Sequence, residues 1–131
     1  MVYMLKLRQK DYLMLTLVWS VMITISSSIP NLKVSNVVPE TDKLVHITIF
    51  AILAFLLSGT LYKNTRPWKR VAQVLLLTIL FGYLDELHQS MVVGRVSSLW
   101  DLLADGLGGL TGAMLYLSFH HQQTKFRIKE E

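Results

Sequence analysis

Six ionisable side chains interrupt segments that are otherwise apolar enough for hydrocarbon: His46 near the start of one, Asp85, Glu86 and His88 at the end of the next, and Asp101 and Asp105 near the start of the last. A charge near the centre of a membrane helix costs at least roughly 2.5 to 3.5 kcal/mol, so groups kept there mark a function or a tight pairing. Carboxylates and an imidazole sharing one shell of low dielectric are equipment for acid/base chemistry, because burial and like charge spread their proton affinities. Glu86, Asp101 and His46 are the catalytic candidates on this ground. Arg95 adds a cation that is always charged and can grip a carboxylate or a phosphate through two parallel hydrogen bonds. Spacing leaves open whether Arg95 satisfies Asp101 or holds a ligand.

Other chemistries find less support. The chain has no cysteine, so thiolate nucleophiles, disulfides and Cys-based metal sites are excluded. His46, Glu86, His88 and Asp101 are metal-ligating types, but no HExxH pair or equivalent spacing joins them, and neither a metal nor another cofactor is expected. Gly94-Arg95-Val96-Ser97 lacks the nucleophile-elbow pattern.

The elements that must position these residues follow from composition. The chain has 131 residues, enough for one domain over 1–131, and is 52% hydrophobic but only 17% charged, which moves it from soluble proteins to membrane proteins. Apolar runs at about 12–29, 44–62, 71–90 and 99–119 each approach the roughly 20 residues that cross a bilayer as a helix. The expected fold is all-α, a polytopic membrane bundle of four helices with short loops carrying Pro30, Pro39, Pro67 and Gly94. The net charge of +4 is spread over short clusters without interleaved aromatics, so nucleic acid is not an expected partner.

Basic residues assign the sides. Lys6, Arg8 and Lys10 precede the first run, Lys63, Arg66, Lys69 and Arg70 separate the second and third, and Lys125, Arg127 and Lys129 follow the fourth. All three clusters fall on one side of a four-span bundle, which places both termini in the cytoplasm. The first run also fits a secretory signal, with Ser26, Ser27 and Ser28 near its end; its length favours an uncleaved helix. Trp68 reads as an anchor at the inner interface, and His120 and His121 as interfacial residues on that side.

The acidic groups are concentrated on the opposite, outward side. At about 1.5 Å of rise per residue, His46, Glu86, Asp101 and Asp105 lie roughly 4 to 10 Å below the outer loops, in one shell. Residues three or four apart share a helix face. Gly82, Glu86 and Gln89 form one stripe directed at the fourth helix, and Asp85 and His88 another, nearer interfacial water. Asp101, Asp105, Gly108 and Gly112 form a stripe whose glycines admit a neighbouring helix, within the bundle or in a second copy. Thr41 or Asp42 suits the cap of the second helix, and Ser98 with Asp101 a capping box opening the fourth.

The run Asp42-Lys43-Leu-Val-His46, then Glu86-Leu-His-Gln89, Gly94-Arg95-Val-Ser-Ser98, and Asp101-Leu-Leu-Ala-Asp105-Gly-Leu-Gly108 with Gly112, resembles the VanZ-like family of small bacterial membrane proteins. The match covers about residues 42–112; the family often has Asn where this chain has Asp105. The resemblance implies a multi-pass protein of the bacterial cytoplasmic membrane, in a family whose founding member lowers susceptibility to the glycopeptide teicoplanin. It implies a binding site at Lys43, His46, Glu86, Gln89, Arg95, Ser98, Asp101 and Asp105.

The leading expectation is an outward pocket that binds or modifies a cell-envelope amphiphile: a membrane lipid, a lipid-linked cell-wall precursor or a lipoglycopeptide. A hydrolase or transferase of lipid headgroups using Glu86, Asp101 and Arg95 is the alternative, and a structural partner of other membrane proteins a further one.

Overall fold

The structure is a computed structural model that describes residues 7–30, 41–62 and 66–130, and side chains over 7–30, 42–62 and 66–122. Lys6, Lys63, Lys125, Arg127 and Lys129, used above to assign sides, fall outside the residues or side chains described. Four helices follow in order: α1 (Gln9–Ser27), α2 (Thr41–Thr60), α3 (Pro67–Gln89) and α4 (Leu99–Glu130). No strand occurs among the described residues.

Local chemistry sets most boundaries. Pro67 opens α3, where the missing N–H has no partner to lose. At the start of α1 the Asp11 carboxylate accepts the Arg8 backbone amide at 2.8 Å, a contact that also holds Asp11 below the usual carboxylate range. Gly94, at φ 79°, turns the chain between α3 and α4 in a conformation open to glycine. The α4 backbone runs past the expected end near residue 119 to Glu130. No glycine or proline follows Ala113, so the helix continues after the apolar run has ended.

Three segments, Asp42–Thr60, Pro67–Gln89 and Leu99–Gln122, are long and apolar enough to cross a membrane. Helix α1 is not among them, since Gln9, Lys10 and Asp11 form its first turn and dilute the apolar stretch that begins at Tyr12. Its outer face is nevertheless apolar, with Met14, Leu17, Val21 and Ile25 exposed, as are Leu76, Leu80 and Leu84 on α3 and Leu103, Leu107 and Met114 on α4. Apolar area this continuous suits a lipid environment.

Helices α2 and α4 meet backbone to backbone. A Cβ on Gly108 would collide with the Ile47 carbonyl oxygen, and one on Gly112 with that of Ala51. The small-residue stripe of α4 is thus filled by α2 of the same chain, and a contact between copies through these glycines would require α2 to leave. Phe50, Leu53 and Ile23 form one buried cluster and Ala54, Val74 and Ala113 another. Buried Thr78 and Ser58 donate to their own helix carbonyls, each at 2.7 Å, so neither leaves an unmet hydroxyl in the core. The alternating direction of the helices brings the C-termini of α1 and α3 and the N-termini of α2 and α4 to one end of the bundle, where the acidic residues lie.

Candidate functional site

Helix α2 delivers Lys43 and His46 one turn apart on the face turned to α4. The Lys43 ammonium lies 3.1 Å from the Asp101 carboxylate, and His46 Nδ1 lies 2.8 Å from Asp105 Oδ1. Asp101 and Asp105, themselves one turn apart, are buried, Asp105 almost completely. The His46 ring stacks on Phe50, with ring planes 8° apart and centroids 6.3 Å apart, which fixes its direction. Gly82 gives Asp105 its place: a Cβ there would sit 2.7 Å from Asp105 Oδ2. The expected shell of His46, Glu86, Asp101 and Asp105 is thus one cluster, with Lys43 the counter-charge of Asp101.

Glu86 reaches the cluster by a route that the sequence hides. Its Oε2 accepts the backbone amide of Ser98 at 2.7 Å. Ser98 caps α4 as expected, its Oγ accepting the Trp100 amide at 3.2 Å. In a capping box the acid three residues on, Asp101, would take the Ser98 amide. Here Glu86 of another helix takes it, and Asp101 turns to Lys43. The other Glu86 oxygen, Oε1, and Asp105 Oδ2 are buried and have no hydrogen-bond partner among the described residues.

Gln89 and Asp85 require correction. Gln89 does not join the acidic stripe of α4; its Nε2 donates to Asp85 Oδ2 at 2.7 Å. Asp85, expected near interfacial water, is only 6% exposed and also accepts a hydrogen bond from Ser27 Oγ at 2.8 Å. The reason is α1, which lies over this face of α3 and brings Ser27 to Asp85 and Ser28 Oγ to within 2.9 Å of His88 Nε2. Of the three serines near the end of the first run, Ser27 and Ser28 hydrogen-bond to α3, while Ser26 Oγ donates to the Met22 carbonyl of its own helix. The α3 contacts were invisible in the sequence because Ser27 lies 58 residues from Asp85.

Two polar groups therefore sit side by side, with His46 between them. A pocket of about 70 Å³ borders both, lined by His46, Asp42, Asp85, Gln89 and Arg95 among others. Arg95 thus faces the α1 side of the site. On the other side, a groove of about 610 Å³ runs between α2, α3 and α4, lined by Ile47, Ile79, Leu103 and Leu107, with Lys43 and Trp100 among its lining residues.

A profile of the VanZ/LLP1 family matches residues 5–120. The chain belongs to the VanZ/LLP1 family. No curated protein and no solved structure matches it. For this VanZ/LLP1 chain the matched segment takes in α1 as well as the part that carries the quoted motifs. The Ser27–Asp85 contact accordingly lies within the family's own extent.

Proposed function

We propose that this VanZ/LLP1 protein binds an amphiphile of the bacterial cell envelope, with the charged head at the Lys43–Asp101 rim and an acyl or prenyl chain in the groove beside it. The observation that carries the reading is the position of Lys43, which belongs to both the acidic cluster and the apolar groove. An ammonium has three donors, so an ion pair with Asp101 is compatible with a second, anionic partner such as a phosphate. Trp100, 68% exposed on the first turn of α4, has the amphipathic ring favoured at headgroup depth. Arg95 and the small pocket offer a second polar subsite on the far side of His46.

The proposed orientation puts the acidic end at the outer face of the cytoplasmic membrane, since Arg8, Lys10, Arg66, Lys69 and Arg70 lie at the other end and cytoplasmic ends carry the basic excess. All four helices then cross, with α1 the shortest span. A lipid-linked cell-wall intermediate or a lipoglycopeptide would meet the site from that face, and capture of such a molecule is the route by which glycopeptide susceptibility would fall.

The test is photocrosslinking in bacterial membranes from a photoreactive residue at Leu103, in the groove, with Leu76 on the exposed face of α3 as the control. Leu103 is expected to recover one lipid species enriched over its share of the membrane and Leu76 bulk lipid; the same bulk mixture from both positions would defeat the reading. A hydrolase or transferase of lipid headgroups is the second reading, favoured by the 2.8 Å contact that aligns the His46 imidazole with Asp105 beside Glu86. Turnover of a lipid extract that is equal in Glu86→Gln and wild type would remove Glu86 from it.

A further inference from the structure

We propose that His46, Glu86 and Asp105 hold a divalent ion of the first transition row, zinc or manganese, at the centre of the polar end. The three residues come from α2, α3 and α4, and one potential ligand atom of each lies within 4.8 Å of the other two. That distribution explains why no spacing in the sequence announces a metal: each helix supplies a single ligand. One imidazole nitrogen with carboxylate oxygens and no sulfur is a mixed set that suits zinc or manganese better than the all-oxygen preference of calcium or magnesium. Three protein ligands also leave coordination positions open, as in catalytic rather than structural sites.

A cluster of acids alone would not carry this. The second observation is unmet capacity: Glu86 Oε1 and Asp105 Oδ2 are buried without hydrogen-bond partners among the described residues, in side chains 7% and 1% exposed. Buried carboxylate oxygens almost always have a donor, and a cation supplies what the protein does not. The surrounding contacts orient the ligands. The Ser98 amide holds Glu86 Oε2, Gly82 makes room for Asp105, and Phe50 stacks on His46. In the structure His46 Nδ1 and Asp105 Oδ1 are 2.8 Å apart, a separation that two ligands of one ion can share once the bridging proton is replaced.

A competing grouping, Asp42, His46 and Asp101, also brings its ligand atoms within 4.8 Å. It is less buried, and Lys43 already occupies Asp101. Lys43 therefore excludes a cation from the rim and leaves it the inner position. The proposal goes beyond the amphiphile reading and stands or falls without it. If both hold, an open position on the ion would accept an anionic oxygen of the head.

The experiment uses the full chain, purified in detergent, stripped with chelator and titrated with MnCl2, with free aqueous Mn2+ followed by electron paramagnetic resonance. One ion per chain is expected, with Glu86→Gln and Asp105→Asn each weakening uptake by more than about tenfold, at least the loss caused by removing an outer-shell partner. Asp42→Asn should leave it unchanged. Lack of stoichiometric uptake by folded protein overturns the site, as does uptake lost in Asp42→Asn but kept in Glu86→Gln. Because the variants also remove buried contacts, a wild-type measurement stands beside them: with 15N-histidine label, ZnCl2 should shift the Nδ1 resonance of the one histidine among four that is missing in His46→Gln. No shift there excludes His46 as a ligand.

Discussion

The two ends of the bundle bury polar groups in opposite ways. At the basic end Arg70 is 5% exposed, yet its guanidinium lies 4.5 Å from the centre of the Tyr62 ring, within a chain of aromatic contacts that runs from Tyr62 to His120 and from Tyr116 to Tyr12. A guanidinium is weakly hydrated and stacks well, so burial against a ring costs little. At the acidic end Asp42, Asp85, Glu86, Asp101 and Asp105 converge, with Lys43 and Arg95 as the cations nearby. Asp85 and Asp101 have donors there, whereas Glu86 Oε1 and Asp105 Oδ2 do not. One end uses its charge to hold helices together. The other leaves two carboxylate oxygens without a donor among the described residues, acceptor capacity that an external cation or donor would fill.

The comparison is broken most directly at Arg70. Arg70→Ala should destabilise the protein by about 2 kcal/mol, the value of a desolvated cation over a ring, seen as a lower melting temperature in micelles. Arg70→Lys should recover only part, because an ammonium does not stack flat on Tyr62. Metal uptake and crosslinking at the far end should persist in the protein that remains folded. An Arg70→Ala protein as stable as wild type would mean that the basic end is no more structural than the acidic one.

The sequence made the helices legible because hydrophobic runs of membrane length have few alternatives, and it placed His46, Glu86, Asp101 and Asp105 at one depth because depth is counted along the chain. It did not reveal which face α1 would cover. Two stripes of α3 only about 100° apart can both be buried when two neighbours flank the helix, and Asp85 is lost to water for that reason. Gln89 follows Asp85 one turn along α3 and so faces α1 with it. The length of α4 was hidden because apolarity reports where lipid ends, and the backbone ends only at a breaker.

The acidic end predicts a change of opposite sign. Glu86→Gln keeps an acceptor for the Ser98 amide and replaces an unpartnered carboxylate oxygen by an amide group, removing a buried charge. Measured with chelator present, it should gain about 1 kcal/mol of stability, because relief of the repulsion among buried carboxylates outweighs the cost of the new amide group left without a partner. The same variant should lose metal uptake. Stability and binding moving together on this substitution would contradict the view that this end trades one for the other.

The smallest effect tests whether the α1 side of the polar end belongs to the site or to the scaffold. Ser27→Ala removes one of the two donors to Asp85 Oδ2 and leaves the shorter one, Gln89 Nε2 at 2.7 Å. The loss should be about 0.5 kcal/mol, the low end for a hydrogen bond whose acceptor keeps a partner. The loss should come from looser docking of α1, and because the chain has no cysteine, a single one introduced at Ser26 reports it as faster thiol labelling. Manganese uptake should not change, since Asp85 and Ser27 lie outside the triad. Uptake that falls with Ser27→Ala would instead join the two polar groups into one site, with His46 as the element shared by both.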